Sequence, residues 1–152
     1  GLQGYGYNVE NLRREIGEIL GVGQGHRAIL LGAGNLGRAL MENFHFERTG
    51  FALMAAFDVD PAIIGRELAG VTVRDMGELE AYLKRQGADV AVLTVPGRVA
   101  QTVTDRLTAC KVRGIWNFTN MELSVPKTTV VENVHFADSL LTLGYMILEN
   151  KE

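Results

Sequence analysis

Three glycines in "GAGNLG", Gly32, Gly34 and Gly37, stand in the spacing G-x-G-x-x-G, and Asp58 follows 21 residues after the last of them. Residues of these types at this spacing can hold a dinucleotide. Gly32 permits a tight turn, Gly34 leaves room where a pyrophosphate approaches the backbone, and Gly37 lets a helix pack closely on a strand. The loop residues between them, Ala33, Asn35 and Leu36, present backbone N–H groups at the positive end of the following helix, where phosphates are held. Asp58 can accept hydrogen bonds from adenosine ribose hydroxyls, and its charge repels a 2′-phosphate. The pattern therefore favours NAD over NADP. The competing reading is an ordinary glycine-rich turn with Asp58 capping a loop.

In an open α/β sheet the ligand lies beyond the carboxyl ends of the strands. Two further such ends carry Thr94, Val95 and Pro96, and then Asn117, Phe118 and Thr119. Thr94 and Asn117 can bond a ribose or a carboxamide, while Pro96 and Phe118 can pack on a ring. Strand-end capping is the alternative for each.

These groups need elements to position them. Asn8 is a good N-cap, and Val9, Leu12, Ile16, Ile19 and Leu20 share one helical face before Gly21. "GVGQGH" reads as a linker, "RAILLGAG" as a buried strand entering a glycine turn, and Asn35 to about Arg48 as a helix. "FALMAAFDVD", "VTVRD", "DVAVLTVP", "RGIWNF" and "TTVVENV" read as further strands. Met76–Gln86, Arg98–Ala109 and Phe136–Leu148 read as helices, the last unusually rich in Leu, Phe, Met and Tyr. Strands alternating with helices imply βαβ units. The fold expected is α/β, a Rossmann-type doubly wound, mostly parallel sheet.

The 152 residues suffice for one domain with a real core. A net charge of −3 argues against a nucleic-acid-reading surface on this segment. The single cysteine, Cys110, rules out an intramolecular disulfide, suits a reducing cytoplasmic compartment, and reads as a buried filler. His26, His45 and His135 have no cysteine or carboxylate pattern of a metal site around them. No apolar run is long enough to span a bilayer. A ligand-sensing module, a dehydrogenase fragment and a coenzyme A-binding domain all remain compatible with the glycine loop.

The stretches "GYGYNVENL", "GAGNLGRAL", "AFDVDP" followed by "IG", "VAVLTVP", "AQTVTDRL", "GIWNFT" and "VENV" together resemble the C-terminal domain of the redox-sensing transcriptional repressor Rex family. The resemblance spans residues 1 to about 150. It implies a non-enzymatic homodimer that binds NAD(H), reads the NADH/NAD⁺ ratio and leaves its operator when NADH binds. DNA contact belongs in that family to an N-terminal winged-helix domain, of which "GLQGYGY" resembles the tail. The organisation implied is a junction at residues 1–25, an NAD(H)-binding domain at 26–134, and a dimerisation helix at 135–152 that crosses to the partner subunit. An intramolecular core helix is the alternative for that last segment.

The family usually carries a tyrosine where Phe44 stands and an aspartate where His135 stands, both near the nicotinamide at the dimer interface. Phe136 matches a position packed near the same ring, and Asn120 replaces the usual proline of "NFTP". A protonated His135 near the ring would repel cationic NAD⁺ more than neutral NADH, so acidification should favour NADH. The alternative is that His135 faces water or caps the last helix.

Overall fold

The computed structural model describes residues 26–150. The helix expected from Asn8 to Leu20 and the linker after it lie outside these residues. Among the described residues, seven strands form one sheet. They are β1 (His26–Leu31), β2 (Phe51–Asp58), β3 (Glu67–Leu68), β4 (Val71–Asp75), β5 (Val90–Leu93), β6 (Gly114–Asn117) and β7 (Val130–Asn133). Their order is β3-β4-β2-β1-β5-β6-β7, and every pair is parallel except β3 with β4. Four helices accompany them: α1 (Asn35–Asn43), α2 (Leu79–Arg85), α3 (Ala100–Ala109) and α4 (Phe136–Glu149). This is the expected doubly wound architecture.

Chain order decides which helix covers which face. The β1–α1–β2 connection steps one way along the sheet, whereas β4–α2–β5 and β5–α3–β6 step the other way. Right-handed crossovers then place α1 on one face and α2 and α3 on the opposite face. The core accordingly divides in two. Met41 of α1 and Phe46 pack with Leu30, Ala56, Val73 and Val92. Leu79, Leu83, Val103 and Leu107 pack with Ile29, Leu31, Phe57, Leu93 and Ile115, joined by Leu123 and Val125 of the long β6–β7 loop. No described helix lies on the first face over β5, β6 and β7.

Several boundaries differ from the sequence reading. Helix α1 stops at Asn43, because Phe44 turns to extended backbone (φ −89°, ψ 127°) and a separate 3-10 turn follows at Phe46–Thr49. That turn buries Phe46 and sets the Phe44 ring 4.8 Å from it. Strand β3 was not expected. It forms a hairpin with β4 through Ala69 and Gly70, both at positive φ (51° and 80°), the geometry of a tight primed turn. Helices α2 and α3 each begin later than expected, behind the 3-10 turns Met76–Glu78 and Gly97–Val99.

Arg106 on α3 reaches both carboxylate oxygens of Glu80 at 2.6 Å and the carbonyl of Met76 at 2.8 Å, fixing the two helices against each other. The hydrogen-bonded guanidinium holds the Glu80 carboxyl below its ordinary range. Cys110 is half-buried against the same core, and burial raises its thiol pKa, as suits a packing residue.

Candidate functional site

The carboxyl ends of β1, β2, β5 and β6 meet at one crevice, and hydrogen bonds fix the glycine loop within it. Gly32 donates from its N–H to the carbonyl of Phe57 (2.8 Å) at a φ of 103°. Its α-carbon sits against the residues that follow β5, so that an added Cβ would come within 2.8 Å of Thr94 and Val95 backbone atoms. At Gly37 a Cβ would overlap the carbonyl oxygen of Gly32 and lie 3.1 Å from Leu30 Cδ2. Gly34 differs. An added Cβ there meets nothing within 4 Å. It is the N-cap of α1, whose first turn receives no side-chain cap and contains no acid. Gly34, Asn35 and Leu36 are exposed, while Ala33 is buried.

Asp58 does the loop-capping work considered from the sequence. Its Oδ2 accepts from the N–H of Ala33 (2.7 Å), and its Oδ1 accepts from Val59 (2.7 Å) and Asp60 (2.9 Å). A carboxylate accepts about four hydrogen bonds, so the half-buried group keeps acceptor capacity beyond the three that it uses.

Across the crevice, the Thr94 hydroxyl lies 2.7 Å from the carbonyl of Gly32 and 3.0 Å from that of Leu31. A hydroxyl has one proton, so Thr94 locks the loop to β5 and offers a ligand only acceptor capacity. Val95 is buried and Pro96 exposed beside it. Asn117 is buried and completely satisfied. Its Nδ2 donates to the carbonyl of Met121 and to Asn133 Oδ1 (2.8 Å each), and its Oδ1 accepts from the N–H (3.0 Å) and hydroxyl (2.6 Å) of Thr119. Asn117 thus shapes the loop from Phe118 to Met121 and has no group left over. Its partner Asn133 was missed from the sequence. The signal was available, because two strands each end in asparagine and the β6–β7 register sets Asn117 opposite Asn133. Asn117→Ala should cost about 2–3 kcal/mol in urea unfolding, since it strands the Thr119 N–H and the Met121 carbonyl together.

The aromatic residues form a chain. Ring centroids are 5.4 Å apart for Phe44 and Trp116, 4.7 Å for Trp116 and Phe118, and 5.9 Å for Phe118 and Phe136. Phe136 opens α4 and is exposed, as are its neighbours. His135 lies with Asn120, Met121 and Asn133 around a separate pocket of about 400 Å³. Phe44 lines a different, apolar cavity on the sheet face. The two departures from the family pattern therefore stand on different cavities, with the rings of Trp116, Phe118 and Phe136 between them.

The chain matches the family model described as a CoA binding domain over residues 24–121. The redox-sensing transcriptional repressor Rex of Clostridium tetani (strain Massachusetts / E88) is 45% identical over 152 residues, which is all of this chain and 72% of that protein. The chain belongs to the Rex family. Two Rex-family structures agree with the fold. RSP in complex with beta-NADH has a TM-score of 0.83 at 38% identity, covering 93% of this chain and 68% of RSP. RSP with beta-NAD⁺ and operator DNA has a TM-score of 0.81 at 38% identity, covering 93% of this chain and 65% of RSP. The Rex relatives are named as transcriptional repressors and not as enzymes. Among the described residues no helix is long and apolar enough to cross a membrane.

Proposed function

We propose that the crevice binds NADH and NAD⁺ and that the chain is the sensing and dimerising part of a cytoplasmic transcriptional repressor, released from operator DNA when NADH binds. Gly34 carries this reading. Sterics explain glycine at 32 and 37, but among the described residues nothing requires it at 34, whereas a pyrophosphate on the bare N-terminus of α1 does. The nucleotide has a place for each part. The phosphates lie on the N–H groups of residues 34 to 37, and the adenosine ribose faces Asp58. The nicotinamide lies toward Thr119, Phe118 and the His135–Phe136 root of α4.

In this scheme residues 26–134 bind the nucleotide and 135–152 pair two subunits. The bound nucleotide supplies a ring whose charge differs between its redox states, and the chain's residues bind and orient it without turnover. Relatives of the RSP kind were captured with both nucleotides and, with NAD⁺, on operator DNA, which supports the coupling of ligand to DNA release. The same loop suits the coenzyme A reading, but a 3′-phosphoadenosine would set a phosphate near the Asp58 carboxylate.

Calorimetric titration with NADH, NADPH and acetyl-CoA tests this. NADH should bind about a hundredfold more tightly than NADPH, the consequence of roughly 3 kcal/mol of repulsion at Asp58. Asp58→Asn, which keeps an acceptor for Ala33, should narrow that gap. Equal affinities for NADH and NADPH in the unmutated chain would overturn the assignment, and tighter binding of acetyl-CoA would favour the coenzyme A reading.

A further inference from the structure

We infer that His135 makes the choice between the two redox states of the nucleotide depend on pH, its protonated imidazole disfavouring the cationic nicotinamide ring of NAD⁺ and sparing the neutral ring of NADH. This rests on the assignment of NAD(H) to the crevice. The sheet order then fixes which half of the nucleotide goes where. The glycine loop follows β1 and Asp58 ends β2, so adenosine lies on the β2 side and the nicotinamide half on the side of β5, β6 and β7. Two strand spacings, together about 10 Å, separate β1 from β6, a span that a ribose and its ring cover. His135 stands at that end. Val134 donates from its N–H to the carbonyl of Asn117 (2.9 Å), and the Phe136 ring lies 5.9 Å from that of Phe118. The residues on either side of His135 are thus both held against the carboxyl end of β6, and His135 itself lines a pocket with Asn120, Met121 and Glu122.

The imidazole is not consumed by the fold. His135 is the N-cap of α4, but its side chain makes no capping hydrogen bond and the residue is exposed. The other two histidines differ. His26 lies 3.6 Å from Asp89 at the amino end of β1, and His45 lies 3.3 Å from Glu47. The charged groups on the elements packed about His135 are Glu122 in the same pocket, Asp138 in the first turn of α4, and Arg98 in the turn after β5, which approaches Met121 at Gly97. Glu132 of β7 lines the apolar cavity on the sheet face instead. Side chains of these types ordinarily keep one charge throughout the range in which an imidazole titrates, about 6.5, so they set a constant background. NADH and NAD⁺ differ only at the ring, and the ratio of their affinities cancels effects on phosphates, riboses and adenine. An exposed imidazolium several ångströms from the ring, at an effective dielectric of about 20, changes that ratio by roughly threefold or more.

The full 152-residue chain serves for the test, its affinities for NADH and NAD⁺ being measured by calorimetry at about pH 6, 7 and 8. The NADH/NAD⁺ affinity ratio should rise roughly threefold or more from the highest pH to the lowest, mainly through loss of NAD⁺ affinity. His135→Gln, which keeps hydrogen bonding without a titrating charge, should hold the ratio flat. Linkage supplies a second measurement on the unmutated chain: if the imidazolium repels NAD⁺, then NAD⁺ must displace its proton. Titrations in buffers of different ionisation heat, at about pH 6.5, should show NAD⁺ binding releasing more protons than NADH binding. That comparison decides alone if the variant does not fold. A flat ratio in the unmutated chain, the same slope in His135→Gln, or equal proton release by both nucleotides would overturn the inference and leave the nucleotide assignment standing. Binding of neither nucleotide at any pH would instead remove that assignment, and this inference with it.

Discussion

Gly34→Asp should abolish detectable NADH binding while leaving the protein as stable as before or slightly more so. The two effects have different origins. Gly34 is an N-cap with extended backbone (φ −77°, ψ −156°), and its Cβ would point into open space. Aspartate is among the best residues at such a position, and its charge complements the helix dipole by about 0.3–1 kcal/mol. The same carboxylate would occupy the place proposed for the pyrophosphate and repel it, with a loss of at least about a hundredfold in affinity, or roughly 3 kcal/mol. Gly37→Ala should fail in the opposite way. Its Cβ would run into the Gly32 carbonyl, backbone against backbone, so the variant should lose more than about 3 kcal/mol or not fold. Thermal melts paired with calorimetry separate the two outcomes. Undiminished NADH affinity in Gly34→Asp would remove the phosphates from the glycine loop.

The second large effect is expected at α4. Leu140, Leu141, Leu143, Tyr145, Met146, Ile147 and Leu148 are all at least half exposed in the single chain. A helix with so wide an apolar face, against a narrow polar one of Asp138, Thr142 and Glu149, needs a partner surface to cover it. Burying each such side chain yields about 1.5–3 kcal/mol, so two copies covering one another exceed the cost of association by a wide margin. Sedimentation of the unmutated chain should therefore give twice the mass of one chain. Leu143→Asp/Ile147→Asp should give monomers or aggregates, because charges at those positions cannot be buried without partners. A monomer at micromolar concentration in the unmutated protein would contradict the pairing role of α4.

The doubly wound sheet was legible because its strands are short apolar runs separated by helical periods, and because a glycine loop marks the first crossover. The three glycines look alike in sequence, yet they serve three ends. The structure separates them by what a Cβ would meet: the backbone of Thr94 and Val95 just past β5 at Gly32, the loop itself at Gly37, open space at Gly34. Strand β3 was hidden because its turn uses Ala69 at positive φ, where asparagine or glycine would have announced it. The end of α1 was hidden because "NFHFE" keeps a helical pattern, and only the pull of Phe46 into the core breaks it. The polarity of Asn117 was visible. That its four hydrogen-bonding positions would be filled by Thr119, Met121 and Asn133 depends on the β6–β7 register, which no local pattern specifies.

Strand β2 is longer than its outer neighbour. It pairs with β4 only from Ala56 to Asp58, so its first half forms a free edge of Phe51, Ala52, Leu53 and Met54 among the described residues. On its other side the register with β1 slips between Ala28 and Ile29, leaving Met54 as the extra residue of a bulge. A straight apolar edge would be a template for another molecule's strand, and bulges are a recognised protection against that. The bulge interrupts this edge, so the apolar stretch Phe51–Met54 cannot present a flat ladder. Straightening β2 by deleting Met54 would be the change to avoid in any attempt to make the protein more concentrated or more soluble.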